Sequence, residues 1–398
     1  LTPLLIAVAF VHLWTHAEQG WMLGIPSVAA GVVYEGTTLG DVLALDERDG
    51  RVRWRAALGA NPDETYGNPR GVISSVIVHG GVAFAVSGSC RAGAFDAFSG
   101  QALWTRHICT IARNDDTYAS PAFADGRVLF GIDIIADRPT DAGREVALDA
   151  ASGKPAWSFS PLRYRGTGGG ISATAAVDVA RGLAIIGTGN PTPMSSPPPG
   201  PDPYTDSAIA VDVRSGRWLW VRGPLIPHDA NDFDLFASPR LFDLHVKGRR
   251  TPAVGVVLKN ARYYMLDERD GRILWQRALE PAMFWMQAIA TPAVAGTTIV
   301  VPLFHNPRAG KLVALRAGDG AVLWRVRTGG IYEAPVIWHG VVLVAEASGA
   351  IVAFNLRNGA RLATLPIASE LYGHGLALDG NTLFVAGRRA LWAYRLEQ

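Results

Sequence analysis

The chain has 398 residues, 49% of them hydrophobic and 18% charged, with 44 glycines, 25 prolines and a formal net charge of +2. A balance so near neutral, with no basic run to neutralise a series of phosphates, argues against nucleic acid as the main partner. No unbroken apolar stretch of about 18 residues occurs, so no membrane-spanning helix is expected, and the absence of a long helical period points to an all-β chain.

Taken from the N-terminus, the first element is LTPLLIAVAFVHLWTHA, residues 1–17. It reads either as the tail of a secretory signal with a small-residue cleavage site or as an outer strand; it lacks a basic leader segment, and Trp14 fits the pattern described next, which favours the strand. From there a phrase recurs: an apolar residue, Asp, three residues, Gly, three residues, Trp. It is written LDERDGRVRW at Leu45 to Trp54, FDAFSGQALW at Phe95 to Trp104, LDAASGKPAW at Leu148 to Trp157, VDVRSGRWLW at Val211 to Trp220 and LDERDGRILW at Leu266 to Trp275. Two weaker copies follow, LRAGDGAVLW ending at Trp324 and FNLRNGARLA ending at Ala363.

Each copy encodes a β-hairpin, with the Gly supplying the positive φ of a tight turn. A further strand pair precedes each hairpin, as in SPAFADG followed by RVLFGI. Four antiparallel strands, A to D, therefore make one blade, with the Trp on outer strand D filling the gap to its neighbour. Strand D positions fall at Trp14, Trp54, Trp104, Trp157, Trp220, Trp275, Trp324 and Ala363, which is eight. Repeats spaced by roughly 40–60 residues mark a propeller or solenoid. The chain ends on TLFVAG and ALWAYRLEQ, strands B and C without a strand D, so the N-terminal strand is expected to complete the last blade of a single eight-bladed β-propeller over residues 1–398.

Cys90 and Cys109 lie equally far from the turn of the second hairpin. A cross-strand disulfide, which suits a periplasmic or secreted protein, and two unpaired thiols both fit that spacing. Neither cysteine belongs to a CxxCH, so no covalent haem is expected.

Propeller topology opens the D–A and B–C loops on one face, where function should gather. The D–A loops include GANPDETYGNPRG before blade two, PLRYRGTGGG before blade four and GPLIPHDANDFDLF before blade five. Loops this long in a compact repeat are commonly binding loops or disordered segments. The last of them crowds His228, Asp229, Asp232 and Asp234 together, whereas its bland reading is a set of turn formers. Asn190 ends strand B of blade four before the Pro-rich insert PTPMSSPPPGPDPY, and Lys259 ends strand B of blade five. The amide oxygen of Asn190 with a carboxylate suits a hard cation such as Ca²⁺. His374, between glycines on the same side, is a weak candidate to line the channel; His79 and His339 read as surface residues.

The succession GTGNP, TDSAIAVDVRSG, PHDANDFD and LKN before YYMLD resembles the motif order of the pyrroloquinoline quinone (PQQ) dependent alcohol dehydrogenases, whose eight-bladed repeats are similar along the whole chain. The resemblance implies a quinone over the central channel with Ca²⁺ or a lanthanide ion at one edge. It implies that Asn190 is a metal ligand, that Asp232, beside the cation, takes the proton of the alcohol, and that Lys259 hydrogen-bonds the reactive quinone oxygen. Arg70, in NPRGV, matches more loosely an Arg at a cofactor carboxylate. Asp133 is the nearest carboxylate to the family's Glu ligand, and Ser172 stands where the family carries the Trp that supports the quinone plane. Asn231 replaces the Trp before the catalytic Asp, and the adjacent-cysteine pair is absent.

In such a site a cation polarises a carbonyl, a carboxylate serves as general base and the cofactor does the redox chemistry. A small-molecule alcohol is then the substrate, and without haem the electrons leave to an external acceptor such as a cytochrome or a quinone. Two other readings fit the same fold: a propeller of this superfamily using the same face for different chemistry without PQQ, and a non-catalytic scaffold similar to the propeller lipoproteins of outer-membrane assembly.

Overall fold

A computed structural model describes residues 7–65, 68–113, 115–134, 142–162, 167–192, 204–226, 229, 231–246, 248–283, 286–371 and 373–398. Eight four-stranded antiparallel blades follow one another at 27–57, 77–107, 122–159, 176–222, 240–278, 293–328, 336–366 and 376–397. The eighth takes its outer strand from the other end of the chain: Ala9–Ala17 pairs antiparallel with Ala390–Glu397, with Phe10 opposite Leu396. The ring is closed by the N-terminal strand, as the repeat count predicts.

Strands B and C are apolar on both faces because each face meets a different neighbour. In strand B of blade one, Val32 and Tyr34 join the core shared with blade two, whereas Val33 joins the core shared with blade eight. The period of two thus feeds two interfaces in place of one inside and one outside. Among the described residues the same alternation repeats around the ring, so the hydrophobic core lies between blades.

The recurring Trp closes seven of the eight junctions. Trp54 Nε1 donates to the carbonyl of Ala97 at 2.9 Å, Trp104 to Ala150 at 2.9 Å, Trp157 to Val213 at 2.7 Å and Trp220 to Glu268 at 2.8 Å. Trp14, Trp275 and Trp324 do the same to Glu47, Ala317 and Leu356. Each indole also lies against the turn Gly of the next blade, where a Cβ on Gly50 or Gly271 would fall 2.5 Å from the ring. The phrase therefore fixes Gly twice over, by a positive φ of 70° at Gly50 and by the indole face above it. This also explains Ala363. A Trp there would need the C–D turn of blade eight, but that blade's strands C and D come from opposite chain ends and have no turn between them.

Cys90 and Cys109 form the disulfide. Among the described residues no helix is long and apolar enough to cross a membrane.

Among the described residues, two junctions carry an extra pair of acids. Glu268 in the turn of blade five meets Asp178 at the end of strand A of blade four, and Glu47 in the turn of blade one meets Asp379 of blade eight. Burial first, then the charge of Asp178 and its hydrogen bond, pushes the Glu268 carboxyl up to about 7, against the pull of Arg181 and with a further push from Asp243. Folding therefore binds a proton that the unfolded chain, with an ordinary Glu, releases above about pH 4.3. Its contribution to stability is full below that value and is lost as pH rises through about 7. Glu268→Gln should keep a neutral donor for Asp178, and the drop in melting temperature between pH 5 and pH 8 should be a few degrees smaller than in the wild type. An identical drop would show that no proton is held there.

Candidate active site

The funnel on the D–A and B–C face is built on a belt of hydroxyls two residues before strand A. Ser75 N donates to Ser120 Oγ at 3.0 Å, Ser120 N to Thr174 Oγ1 at 2.9 Å, Thr174 N to Ser238 Oγ at 3.1 Å and Ser238 N to Thr291 Oγ1 at 3.1 Å. These bonds stitch blades two to six together directly beneath the loops, so residues just upstream, Tyr118, Ser172 and Phe236 among them, are held at fixed stations. The signal was legible as Ser or Thr at the same place in ISSV, YASPA, SATAA, FASPR and IATPA, and sequence reasoning passed over it.

Strand ends deliver the charged groups. Asn190 follows strand Leu183–Gly187 and Lys259 follows strand Arg249–Leu258, so both leave their blades on the same face. Between those blades runs the loop with Asp229, Asp232 and Asp234. Asp229 accepts Asn231 N at 2.8 Å and also Phe233 N, which curls the loop. Asp232 sits at φ 59°, a left-handed conformation that Asp and Asn tolerate better than most residues.

These groups converge. Lys259 Nζ lies 2.7 Å from Asp232 Oδ1 and 2.7 Å from Asp234 Oδ1, and 5.3 Å from the centre of the Phe236 ring. Asn190 Nδ2 donates to Asp232 Oδ1 and, at 3.3 Å, to Asp234 Oδ2. Burial opposes the charge of Lys259, but Asp234 and Asp232 outweigh it and hold the ammonium more firmly protonated than usual. Burial pushes Asp234 up to about 6, with Lys259 pulling it down and Asp232 pushing it up. Asp206, missed in the sequence because TDS reads as a turn, joins the group: burial, then Asp234 and Asp229, raise it well above the usual range.

Asp133 accepts Ser172 Oγ at 2.8 Å, and burial raises it to about 7. It lies beside Gly170, where a Cβ would meet Asp133 Oδ1 at 1.7 Å, and Gly189 in turn packs against Gly170 and Asp234. Arg70 is buried and its Nη1 donates to Asp116, itself fully buried, leaving Arg70 Nε and Nη2 without partners. Asn190 Oδ1 is likewise buried and unbonded. Glu35, at the end of strand B of blade one, is a second omission; burial pushes it up to about 8.

The expected residues thus divide. Asn190 and Lys259 both bond Asp232, Ser172 and Asp133 form a pair, and Arg70 forms another with Asp116. Among the described residues no three His, Cys, Asp or Glu side chains are disposed as a metal cage. His374 does not line the channel: it is 2% exposed, and its Nδ1 is 2.6 Å from the carbonyl of Met22, so it ties blade eight to blade one. His79 is exposed and stacks on Phe123, and His339 is exposed in a turn. His228 and the Pro-rich stretch 193–203 lie outside the described residues.

With this geometry in hand, the chain can be set beside known proteins. It is 26% identical to polyvinylalcohol dehydrogenase from Pseudomonas sp, over 94% of this chain and 66% of that protein. It is 25% identical to lupanine 17-hydroxylase [cytochrome c] from Pseudomonas sp, over 67% of this chain but only 44% of that protein. Less than half the length of that relative is therefore spanned. A europium-containing methanol dehydrogenase superposes with a TM-score of 0.81 over 97% of this chain and 93% of that one, at 14% identity, which is a likeness of fold. The family described as "Glucose/ethanol/alcohol dehydrogenase, beta-propeller domain" matches residues 16–282, more than half of the chain, and the protein belongs to that family of PQQ β-propellers.

Proposed function

We propose that this propeller is a quinoprotein oxidoreductase that oxidises an alcohol, with PQQ and a hard cation, Ca²⁺ or a lanthanide, seated over the funnel. The observation that carries the reading is a charge imbalance. Asp206, Asp229, Asp232 and Asp234 act on one another around the single ammonium of Lys259, in a largely buried setting. Like charges gathered out of water raise one another's pKa unless a cation neutralises them. An all-oxygen donor set with an unbonded Asn190 Oδ1 has the hardness such a cation requires. The two unpartnered donors of Arg70 suit a carboxylate of the kind PQQ carries. Ser172 does not fit the same group, because it offers no flat face; the aromatic surface near the belt is that of Tyr118 and Phe236, 6.3 Å apart.

When bound, PQQ supplies the two-electron oxidant and the cation supplies Lewis acidity. The chain supplies the rest. Asp232, only partly buried, accepts the hydroxyl proton; Lys259 and Asn190 fix its carboxylate by bonding one oxygen and leaving the other free. The electrons then pass to an external cytochrome or quinone, and the disulfide suits a periplasmic or secreted site of action.

The test is thermal unfolding of the purified protein with PQQ and either Ca²⁺ or a lanthanide. Metal-dependent stabilisation is expected, about 2.7 kcal/mol at a hundredfold excess over Kd, and Asn190→Ala should reduce it. No shift with any metal would overturn PQQ as the cofactor.

A further inference from the structure

We propose that the Cys90–Cys109 disulfide positions Arg70, and so sets how tightly the funnel holds a multiply charged carboxylate. The ligand part of this rests on the dehydrogenase reading; the positioning part does not.

Arg70 is gripped from two sides. Behind it lies the B–C turn of blade two: a Cβ on Gly88 would fall 2.5 Å from Arg70 Cβ and 2.7 Å from its carbonyl oxygen, and Gly88 N donates to Gly71 O at 2.9 Å. Two residues on, Cys90 takes φ 62° and its amide donates to Ser87 O at 2.9 Å, which ends the turn. In front lies Asp116, which accepts Arg70 Nη1 and is aligned by Thr117 N at 2.8 Å. The segment that carries Asp116 starts at Cys109. It is folded by Asp115, whose Oδ2 accepts Thr110 N at 2.7 Å and also Arg144 Nη2.

The disulfide joins these two supports. Strand pairing already brings Arg91 opposite His107, and Ile108 N donates to Cys90 O at 3.0 Å, but there the ladder ends. Beyond it the segment is held at two ends: Asp115 and Asp116 pair with Ile134 and Asp133 of blade three, and the covalent bond at Cys109 ties the start of the segment to blade two. Arg70 therefore sits inside a closed circuit, from Cys90 back through Gly88, across Arg70 to Asp116, and through Thr110 to Cys109. A guanidinium with two free donors works by direction, so small displacements matter. Cys90 is buried at 1% exposure.

The experiment compares the full chain with its Cys90→Ser/Cys109→Ser variant. Amide hydrogen exchange read by mass spectrometry needs no ligand. Exchange is expected to speed up at 70–72 and 115–117 as well as around 87–109, and acceleration confined to 87–109 would overturn the positioning role. Titration with PQQ in Ca²⁺ should then show roughly tenfold weaker binding in the double-serine variant, the scale of losing an outer supporting contact. Arg70→Lys should weaken binding in the wild type and add little in the serine background, since both changes act through one group. Equal affinity in the serine variant, or fully additive losses, would refute the link between bridge and ligand. If the wild type takes no PQQ, the dehydrogenase reading fails and the exchange result still decides the positioning role.

Discussion

Asp232→Asn should lower kcat for alcohol oxidation by roughly 10²–10⁴-fold, the contribution expected of a positioned general base, while fold and cofactor uptake persist. The substitution is informative because Asn keeps what the backbone and neighbours need. At φ 59° Asn is as comfortable as Asp, whereas Ala would add backbone strain to the loss of the carboxylate. The Asn side-chain oxygen still accepts from Asn190 Nδ2 and from Lys259, and Lys259 retains the charge of Asp234. What is removed is the capacity to take up a proton, together with one negative charge of the cluster, while Asn190 and Asp234 stay in place. The check is kcat and KM for a short primary alcohol with an artificial electron acceptor, beside the PQQ-dependent melting shift of the same variant. A variant that keeps the melting shift and loses turnover supports the assignment. One that turns over at near wild-type rate would move the base elsewhere, and Asp234 would be the next to test.

How much of this was legible in the sequence depends on whether the determinant was local or assembled. The ring was legible because one phrase, Asp, Gly and Trp at fixed spacing, states a complete hairpin and its docking partner each time it occurs. Ala363 reads as a decayed copy in sequence; only the closed ring explains it, since the turn it would dock on does not exist. The loop with Asp229, Asp232 and Asp234 announced itself by crowding, and Asn190 and Lys259 by ending apolar strands. Asp116 and Asp206 gave no such sign. Both sit in turn-like contexts, so nothing local marks them as buried; burial is conferred by neighbouring blades, whereas Glu35 lies at the end of an apolar strand and carries the same signal as Lys259. His374 misled for the opposite reason: flanking glycines suggest an open turn, but its partner, Met22, is 352 residues away.

Trp220→Ala should cost about 3–5 kcal/mol, the range for deleting a buried aromatic, and Gly271→Ala should cost nearly as much by a different route. Trp220 is 7% exposed, donates to Glu268 O at 2.8 Å and covers Gly271, where a Cβ would lie 2.5 Å from the ring. Truncating the indole empties that space and leaves the Glu268 carbonyl without its donor. Adding the methyl instead collides with the ring and forces Ala to φ 69°, a conformation costing on the order of 1–2 kcal/mol by itself. The two changes cannot be independent. In a Trp220→Ala background the methyl has somewhere to go, so Gly271→Ala should cost only the backbone part, and the double mutant should be more stable than the sum of the singles predicts. Denaturation midpoints of the four proteins measure this directly, and strict additivity would show that indole and glycine do not touch. The same junction bears on function. It joins blade four, whose strand B leads to Asn190, to blade five, whose strand B leads to Lys259, and those two residues are linked through Asp232 and Asp234. Loosening the junction below should therefore weaken the metal-dependent uptake of PQQ above, even though Trp220 touches none of the groups that would bind it.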